Sequence, residues 1–266
     1  MKVFHIDSER SFRGGQRQIL YLLEGLEKRG VENFLFCPGK SPLFERAEKN
    51  RKISVAMFGE FDIFSAYKIA KFINREKPAI LHCHSAHALS VVIIARKLAS
   101  HKPALIASRR VIFPIRCRKK YISADKIIAI SGAVKISLEE SGVPSSRTAI
   151  VYSGIKKRPV LPDESVTAKK RLGIESGVLT VAVVGALTKE KGHKIIIGAF
   201  GEILRRGLKL KLVIAGSGGL DKELRQYAAD RGVADSVLFT GFRKDILQLL
   251  PAFDIVVNAS ESEGLG

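Results

Sequence analysis

Short apolar runs alternate with amphipathic segments along almost the whole chain, and this alternation constrains the fold more than any other feature. The runs are typical of strands that are buried on both faces of a parallel sheet. Between them, apolar residues recur at helical spacing, as from Ile19 to Leu26 before Gly30, and Ser131 is placed to cap another helix. Strands are predicted at residues 3–6, 34–37, 53–57, 80–83, 105–107, 127–130 and 149–152. The pattern predicts an α/β chain with doubly wound parallel sheets.

Residues 153–165 interrupt this alternation. The stretch contains Gly154, Pro159 and Pro162 among charged residues, a composition typical of a linker. The alternation then restarts, with strands predicted at 180–184, 210–215, 237–240 and 255–257 and helices near 193–206, 221–231 and 245–250. We therefore predict two tandem Rossmann-like domains, 1–154 and 166–266, joined by a linker at 155–165. Four strands are few for an open sheet, so we expect the second domain to be incomplete and the C-terminus to be truncated.

The charge of the chain is strongly positive and unevenly distributed. The formal net charge is +19, and residues 1–157 hold 29 Lys and Arg against 13 Asp and Glu. Such an excess attracts anionic partners. The basic residues are spread over several predicted helices without a recognised nucleic-acid module, so nucleic acid is not an expected partner. The three cysteines form no ligand pattern, and no secretion signal or membrane-length apolar stretch is visible, which favours a cytoplasmic protein.

Glycine-containing loops follow the predicted strands in both halves. Gly14 and Gly15 lie between the first strand and the first helix, and in the second half the loops lie at 184–193, 215–219, 240–243 and 260–266. Because the carboxyl ends of parallel strands share one edge of a sheet, we expect the four loops of the second half to line one ligand site. Glycine lets the backbone approach a ligand closely, and a helix N-terminus behind it favours phosphate.

The order and spacing of these motifs resemble the large retaining glycosyltransferase family 4, which has the GT-B fold. The resemblance covers nearly the whole chain through Gly14-Gly15, LHCHS at 81–85, IAISGAV at 128–134, VPSSRTAIVYSGI at 143–155, Lys191-Gly192, AGSG at 215–218 and EGLG at 263–266. It implies a transferase that moves a sugar from a nucleotide-sugar donor to an acceptor with retention. The implied acceptor is a glycan, a lipopolysaccharide or a lipid-linked sugar, and no cofactor is implied.

The resemblance also assigns roles to individual residues. Lys191 would contact the donor diphosphate, Glu263 would hold hydroxyls of the donor sugar, and His84 would lie near the acceptor or the donor sugar. The remaining donor-binding residues would be Gly14, Gly15, Gly216, Gly218, Gly241, Phe242, Gly264, Leu265 and Gly266. These assignments agree with the chemistry, because cations and helix N-termini stabilise the negative charge that develops on a leaving diphosphate.

Three positions depart from the family pattern. Ala186 stands where the family usually has an arginine, which leaves Lys191 as the main cation for the diphosphate. Arg109 and Arg110 stand where many members have a histidine, so we assign them to the acceptor side. The second glutamate of the family motif would fall beyond residue 266. No Asp-x-Asp pair occurs in the sequence, so transfer without a metal ion is expected.

Two further histidines and one basic segment have plainer interpretations. His82 is expected to point away from His84 and to be structural, and His193 is expected to lie on the surface at the start of a helix. The segment 113–121 interleaves basic and aromatic residues. It predicts contact with an anionic membrane at the inner face, with a solvated surface as the alternative.

Two other functions remain open from the sequence. One is a sugar-nucleotide 2-epimerase of the same GT-B architecture, which would bind the donor and transfer nothing to an acceptor. The other is a truncated, inactive protein that binds a sugar nucleotide, an interpretation suggested by Ala186 and by the missing glutamate.

Overall fold

The computed structural model describes residues 1–47, 51–157, 159, 161, 163–261 and 263–265. The chain divides into two compact units, Met1–Ile155 and Lys156–Gly264, and both are α/β. Within the described residues, no helix is both long enough and apolar enough to cross a membrane. The three cysteines are free thiols, two of them buried and Cys117 exposed.

The first unit is built on a parallel sheet whose seven strands, counted in the described part of the chain, run in the order β3-β2-β1-β4-β5-β6-β7. The strands are β1 Lys2–Ile6, β2 Glu32–Cys37, β3 Arg51–Ser54, β4 Ile80–Cys83, β5 Ala104–Arg109, β6 Lys126–Ala129 and β7 Thr148–Ile150. The helices are α1 Gly14–Glu27, α2 Pro42–Arg46, α3 Ile63–Glu76, α4 Ala86–Leu98, α5 Arg118–Ile122 and α6 Gly132–Glu140.

The second unit has a smaller parallel sheet, with the order β10-β9-β8-β11 among the residues that the structure describes. The strands are β8 Leu179–Val184, β9 Leu210–Ala215, β10 Val237–Gly241 and β11 Ile255–Val256. The helices are α7 Glu164–Arg171, α8 His193–Arg205, α9 Asp221–Asp230 and α10 Ile246–Leu249, with 3₁₀ turns that include Lys189–Lys191.

Alternate residues of each central strand pack into cores on opposite faces of the sheet. In β2, Phe34 and Phe36 enter one cluster, whereas Leu35 and Cys37 enter another with helix α1. In β9, Val213 packs with α7, on the face opposite that of its two neighbours. Because a strand exposes successive side chains to opposite faces, apolar runs without polar interruption are what a sheet covered on both sides requires.

The predicted α/β class and every predicted strand are confirmed, with shifts of one or a few residues at the ends. Helices α2, α3, α5 and α7 were not predicted. Helix α7 begins at Glu164, inside the segment predicted as linker, and residues 158, 160 and 162 of that segment lie outside the described residues. Helix α3 begins where the Asp62 side chain accepts a hydrogen bond from the backbone N–H of Ser65, which satisfies one free donor of the first turn.

Candidate active site

Parallel α/β sheets bind ligands beside the carboxyl ends of their strands, at the point where the strand order reverses. That switch point lies between β1 and β4 in the first unit and between β8 and β11 in the second unit. Gly15 lies in the first turn of α1, the helix that follows β1, and the loops or turns after the other three strands carry His84, Lys191 and Glu263. The topology thus places these predicted residues at the switch point of their own unit.

Lys191 and Glu263, 72 residues apart in the sequence, form an ion pair in the second unit. Nζ of Lys191 donates to Oε1 of Glu263 at 2.5 Å, and each side chain is 28% exposed. Gly192 has a φ of +65°, and a Cβ there would stand 2.2 Å from the carbonyl oxygen of Ala259. The turn that carries the lysine therefore packs directly on the loop that carries the carboxylate, and solvent reaches the pair.

The surroundings of Glu263 keep its carboxylate ionised. Burial alone would raise the pKa of this group, but hydrogen bonds from Lys191, Ser260 and Asn258 outweigh burial and hold the pKa below its ordinary value. The Ser260 hydroxyl has a single proton, and Oδ1 of Asn258, 2.7 Å away, is a second acceptor for it. Glu263 is therefore a charged and oriented acceptor at neutral pH.

Two of the predicted donor-binding glycines are required by a neighbouring loop. A Cβ on Gly216 would stand 1.7 Å from the carbonyl oxygen of Gly185, and a Cβ on Gly218 would stand 2.4 Å from that of Leu187. Backbone hydrogen bonds join the same two loops. Gly185 N donates to Ala215 O at 3.0 Å, and Leu187 N donates to the carbonyl oxygen of residue 217, in the loop after β9, at 3.0 Å. The glycines let the loops after β8 and β9 pack backbone to backbone. Their contact with a donor stays a prediction.

A cavity of about 270 Å³ opens between the loops after β8, β9 and β10. Gly216, Phe242 and Arg243 line it, and the Phe242 ring is 71% exposed. Gly241 has a φ of +67°, which turns the chain at the end of β10. Arg243 donates to both carboxylate oxygens of Asp245 at 2.8 and 2.7 Å. An apolar cavity with a few fixed polar groups suits a planar ring such as a nucleotide base.

The two described residues after Glu263 are at least partly exposed to solvent. Gly264 is partly exposed and Leu265 is 38% exposed. Gly266 lies outside the described residues. Their role in donor binding stays a prediction.

The expectation for His193 was wrong. Its side chain is 2% exposed, and Nε2 lies 2.9 Å from the carbonyl oxygen of Ala186. Nε2 therefore donates, because a carbonyl only accepts. Although His193 is the first residue of α8, the ring turns under the loop after β8 and fixes it. Ala186, which stands where the family usually has an arginine, thus holds the His193 ring through its backbone carbonyl.

In the first unit, His5, His82 and His84 form a histidine cluster at the switch point. Nδ1 of His5 lies 3.1 Å from Nε2 of His84, and the ring centroids of His82 and His84 are 4.1 Å apart. The expectation that His82 points away from His84 was therefore wrong. Residues two apart on a strand share one face, and β4 delivers both rings to the same side.

Burial keeps the histidine cluster neutral. Desolvation lowers the pKa of His5 to about 4 and that of His82 to about 3, and it holds the pKa of His84 well below its ordinary value. Second polar partners orient two of the rings, because His5 contacts the Asn33 side-chain oxygen at 3.1 Å and His82 contacts the Ser108 hydroxyl at 2.8 Å.

The histidine cluster is also the place where a metal ion is most readily considered. Among the described residues, these three histidines are the group of potential metal ligands that lie close together, with one ring nitrogen of each within 4.8 Å of the others. Tetrahedral zinc with Zn–N bonds of about 2.0–2.1 Å needs nitrogens roughly 3.4 Å apart. Two of the rings already bond to each other, His5 Nδ1 to His84 Nε2 at 3.1 Å, and His5 and His82 also bond to neutral side chains. Its arrangement is that of a hydrogen-bonded polar core.

Gly15 adjoins a buried polar network that the sequence analysis missed. Gln16 Nε2 donates to Oδ2 of Asp7 at 3.0 Å, and its side-chain oxygen accepts from the Arg13 backbone N–H at 3.1 Å. Burial raises the pKa of Asp7 to about 6. A Cβ on Gly15 would lie 3.4 Å from Cδ of Arg110. An acid that ends an apolar strand just before a glycine turn is the signal that would have identified Asp7.

The two adjacent arginines assigned to the acceptor side diverge. Arg109 donates to the Tyr121 hydroxyl at 3.0 Å and to the Phe113 carbonyl oxygen at 2.5 Å, so it fixes the segment after β5. Arg110 lies instead beside Gly15 and the histidine cluster, where burial lowers the pKa of its guanidinium. Of the pair, Arg110 is placed at the switch point. Their role toward an acceptor stays a prediction.

Comparison with known families agrees with this architecture. Residues 12–157 match the family described as Glycosyltransferase Family 4, and residues 165–266 match Glycosyl transferases group 1. Because the first match covers more than half of the chain, this protein belongs to the group 1, family 4 glycosyltransferases of GT-B fold.

Individual relatives are distant. The chain is 28% identical over 134 residues to the alpha-monoglucosyldiacylglycerol synthase of Streptococcus pneumoniae, covering 50% of this chain and 30% of that protein. It is 24% identical over 301 residues to the UDP-Gal:alpha-D-GlcNAc-diphosphoundecaprenol alpha-1,3-galactosyltransferase of Escherichia coli, covering 100% and 75%. The chain spans between 30% and 58% of the length of several curated relatives that it matches.

A solved structure confirms the fold. The crystal structure of Anabaena HepE in complex with UDP aligns with a TM-score of 0.81 at 19% identity, over 98% of this chain and 74% of that one.

Proposed function

We propose that the protein transfers a sugar from a nucleotide-sugar donor to a glycan, lipopolysaccharide or lipid-linked acceptor, with retention and without a metal ion. The observation that carries this proposal is the Lys191–Glu263 ion pair at the switch point of the second unit, where a cation and an acceptor are held together. HepE was crystallised with UDP, and both relatives named above act on lipid or lipid-linked substrates by name.

The proposed chemistry follows from charge. When the bond between sugar and phosphate breaks, negative charge builds on the leaving diphosphate, and a positioned cation stabilises it. Lys191 would supply this cation by exchanging its contact with Glu263 for a contact with phosphate. Glu263, ionised and oriented, would then accept hydrogen bonds from donor-sugar hydroxyls. Because Ala186 offers no second cation, Lys191 would carry most of this stabilisation.

A donor screen tests the proposal. The chain is incubated with UDP-, GDP- and ADP-sugars, with and without lipid-linked and soluble glycan acceptors, and release of nucleoside diphosphate is measured. We expect release that depends on an acceptor, and an anomeric configuration in the product, read by NMR, that matches the donor. Glu263→Gln should impair the reaction, whereas Glu261→Gln, an exposed acid in the same loop, should not. Conversion of the donor to its 2-epimer without transfer would contradict the proposal.

A further inference from the structure

Three phenylalanines and a tyrosine stand out of the first unit into solvent. Phe58, Phe61 and Phe64 are 81%, 84% and 92% exposed, and Tyr67 follows them on the outer face of α3. These four residues form what we call the aromatic patch. Soluble proteins seldom leave several large rings together in water, and such patches mark surfaces that bind a partner or a membrane.

Local hydrogen bonds hold the loop that displays the aromatic patch. The Asp62 carboxylate accepts from the backbone N–H of Phe58 at 3.1 Å and of Ser65 at 2.9 Å. The Ser65 hydroxyl in turn accepts from the Met57 backbone N–H at 3.1 Å. The loop therefore has a defined shape, and its rings are held outward by the backbone.

Cations surround the aromatic patch, and the nearby acids are already engaged. The Arg10 guanidinium lies 5.2 Å from the Phe58 ring centroid, and Lys71 Nζ lies 4.8 Å from that of Tyr67. Glu60 accepts from Lys120 at 2.7 Å. This ion pair places helix α5, with its basic residues, beside the loop, and Asp62 is used as the helix cap.

In the structure, the basic segment 113–121 exposes fewer residues than its sequence predicts. Tyr121 is buried, at 4% exposure, and is no part of a surface. Lys120 is paired with Glu60. Arg116, Arg118 and Lys119 remain exposed. The segment thus offers charge next to the aromatic patch, and the rings come from a different part of the chain.

We propose that the aromatic patch inserts into the interface of an anionic phospholipid bilayer, with Arg116, Arg118 and Lys119 held against the lipid headgroups. Aromatic rings prefer the boundary between headgroups and acyl chains, and basic residues next to them are attracted by the negative surface. The surplus of basic residues in this half of the chain complements an anionic membrane. The proposal concerns the first unit alone and does not depend on the proposed transfer reaction.

The sequence contains no Trp, which permits a direct test. Phe58→Trp, Phe61→Trp and Phe64→Trp each introduce one fluorophore into the aromatic patch, and Leu98→Trp, at an exposed position where α4 ends, is the matched control. With vesicles of phosphatidylcholine and about a third phosphatidylglycerol, we expect a blue shift and quenching by brominated acyl chains for the three patch variants only. Spectra at all three positions that stay unchanged when vesicles are added would overturn the proposal.

Vesicle sedimentation tests the charge. Near an anionic surface each basic residue contributes about 1 kcal/mol, so Arg116→Gln, Arg118→Gln and Lys119→Gln together should lower partitioning on the order of 100-fold. Replacing three exposed cations of the second unit by Gln should change it little; the control set is Arg205, Arg206 and Lys209. High salt should release the protein, and pure phosphatidylcholine should not bind it.

Two further outcomes bear on the proposal. Equal binding to neutral and anionic vesicles would contradict the role of the charges. Dimerisation in analytical ultracentrifugation that Phe61→Ser abolishes, together with absence of vesicle binding, would show that the aromatic patch pairs with a second copy and would overturn the proposal.

Discussion

The two switch points share a topology and have opposite chemistry. At β1 and β4 the first unit gathers a buried histidine cluster that is neutral at pH 7, with Asp7 close by at a raised pKa of about 6. At β8 and β11 the second unit holds Lys191 and Glu263 as a solvent-accessible ion pair. The histidines of the first site stay neutral because burial penalises their charged form, and the ion pair of the second site stays charged where water reaches it.

In both units the strand order sets where the candidate site lies, whereas burial decides what kind of group the site offers. A partly exposed lysine suits an anionic diphosphate, because it can exchange its carboxylate partner for phosphate. Neutral buried imidazoles offer hydrogen bonds and shape without net charge.

Removing the lysine should have the largest effect. Loss of one such stabilising contact costs about 2.7–4 kcal/mol of barrier, by analogy with an oxyanion-hole donor, so Lys191→Ala should lower turnover roughly a hundredfold or more. The reason is that Ala186 offers no cation at the position where the family usually has an arginine. Turnover is measured as acceptor-dependent release of nucleoside diphosphate. Lys189→Ala, in the same 3₁₀ turn, is the matched control and should retain activity. Loss of turnover in the Lys189 variant alone would transfer the role to that residue.

The next largest effect is expected from disturbing the packing between the loops after β8 and β9. In Gly216→Ala the added Cβ would meet the Gly185 carbonyl oxygen at 1.7 Å, and overpacking of this kind typically costs about 1–3 kcal/mol. Thermal and urea unfolding should show this loss for the second unit. Gly14→Ala, with no atom near the new methyl, should change the free energy of unfolding by less than about 0.5 kcal/mol. Equal losses of stability in the two variants would show that the contact between the loops after β8 and β9 does not set the cost of the added methyl group.

Much of the fold followed from local pattern. The mostly apolar segment Leu210–Ala215, which ends at Gly216, predicts β9 to the residue, because its last four residues have the apolar composition of a strand buried on both faces. Helix α3 was missed because its outer face carries Phe64 and Tyr67 where polar residues are usual. A sequence pattern reports how apolar a segment is and does not say which rings the tertiary structure leaves uncovered.

The site was predicted unevenly for a related reason. Lys191 and Glu263 were named through their motifs, yet their mutual ion pair depends on the order of four strands and is not a local property. The burial of His193 depends likewise on the loop that lies above it. His82 was a plain error of strand periodicity, which places it on the same face as His84.

The comparison that separates the two units most clearly concerns acid. An unfolded histidine gains a proton below pH 6.5, whereas His5 resists protonation until about pH 4 and His82 until about pH 3. The unfolded state therefore binds more protons, and the free energy of unfolding falls as the pH drops from about 6.5 toward 4, by up to about 1.4 kcal/mol per pH unit for each histidine. Asp7 acts in the opposite direction, because its raised pKa adds stability as the pH falls through about 6.

The substitution His82→Gln should remove the contribution of one histidine to this pH dependence of the free energy of unfolding. Because three depressed imidazoles oppose one raised carboxyl, the wild-type protein should lose stability between about pH 6.5 and 4, and the variant should lose it less steeply by about 1.4 kcal/mol per pH unit. In the second unit, Glu263 has a lowered pKa, so its contribution to stability is lost only as the pH falls into the ordinary titration range of a carboxyl and below it. Hydrogen exchange, corrected for intrinsic rates, should therefore show the first unit opening at a higher pH than the second. His87→Gln, outside the histidine cluster, is the control and should keep the wild-type slope. An unchanged slope in His82→Gln, or simultaneous opening of both units, would show that the neutrality of the cluster does not set the acid response.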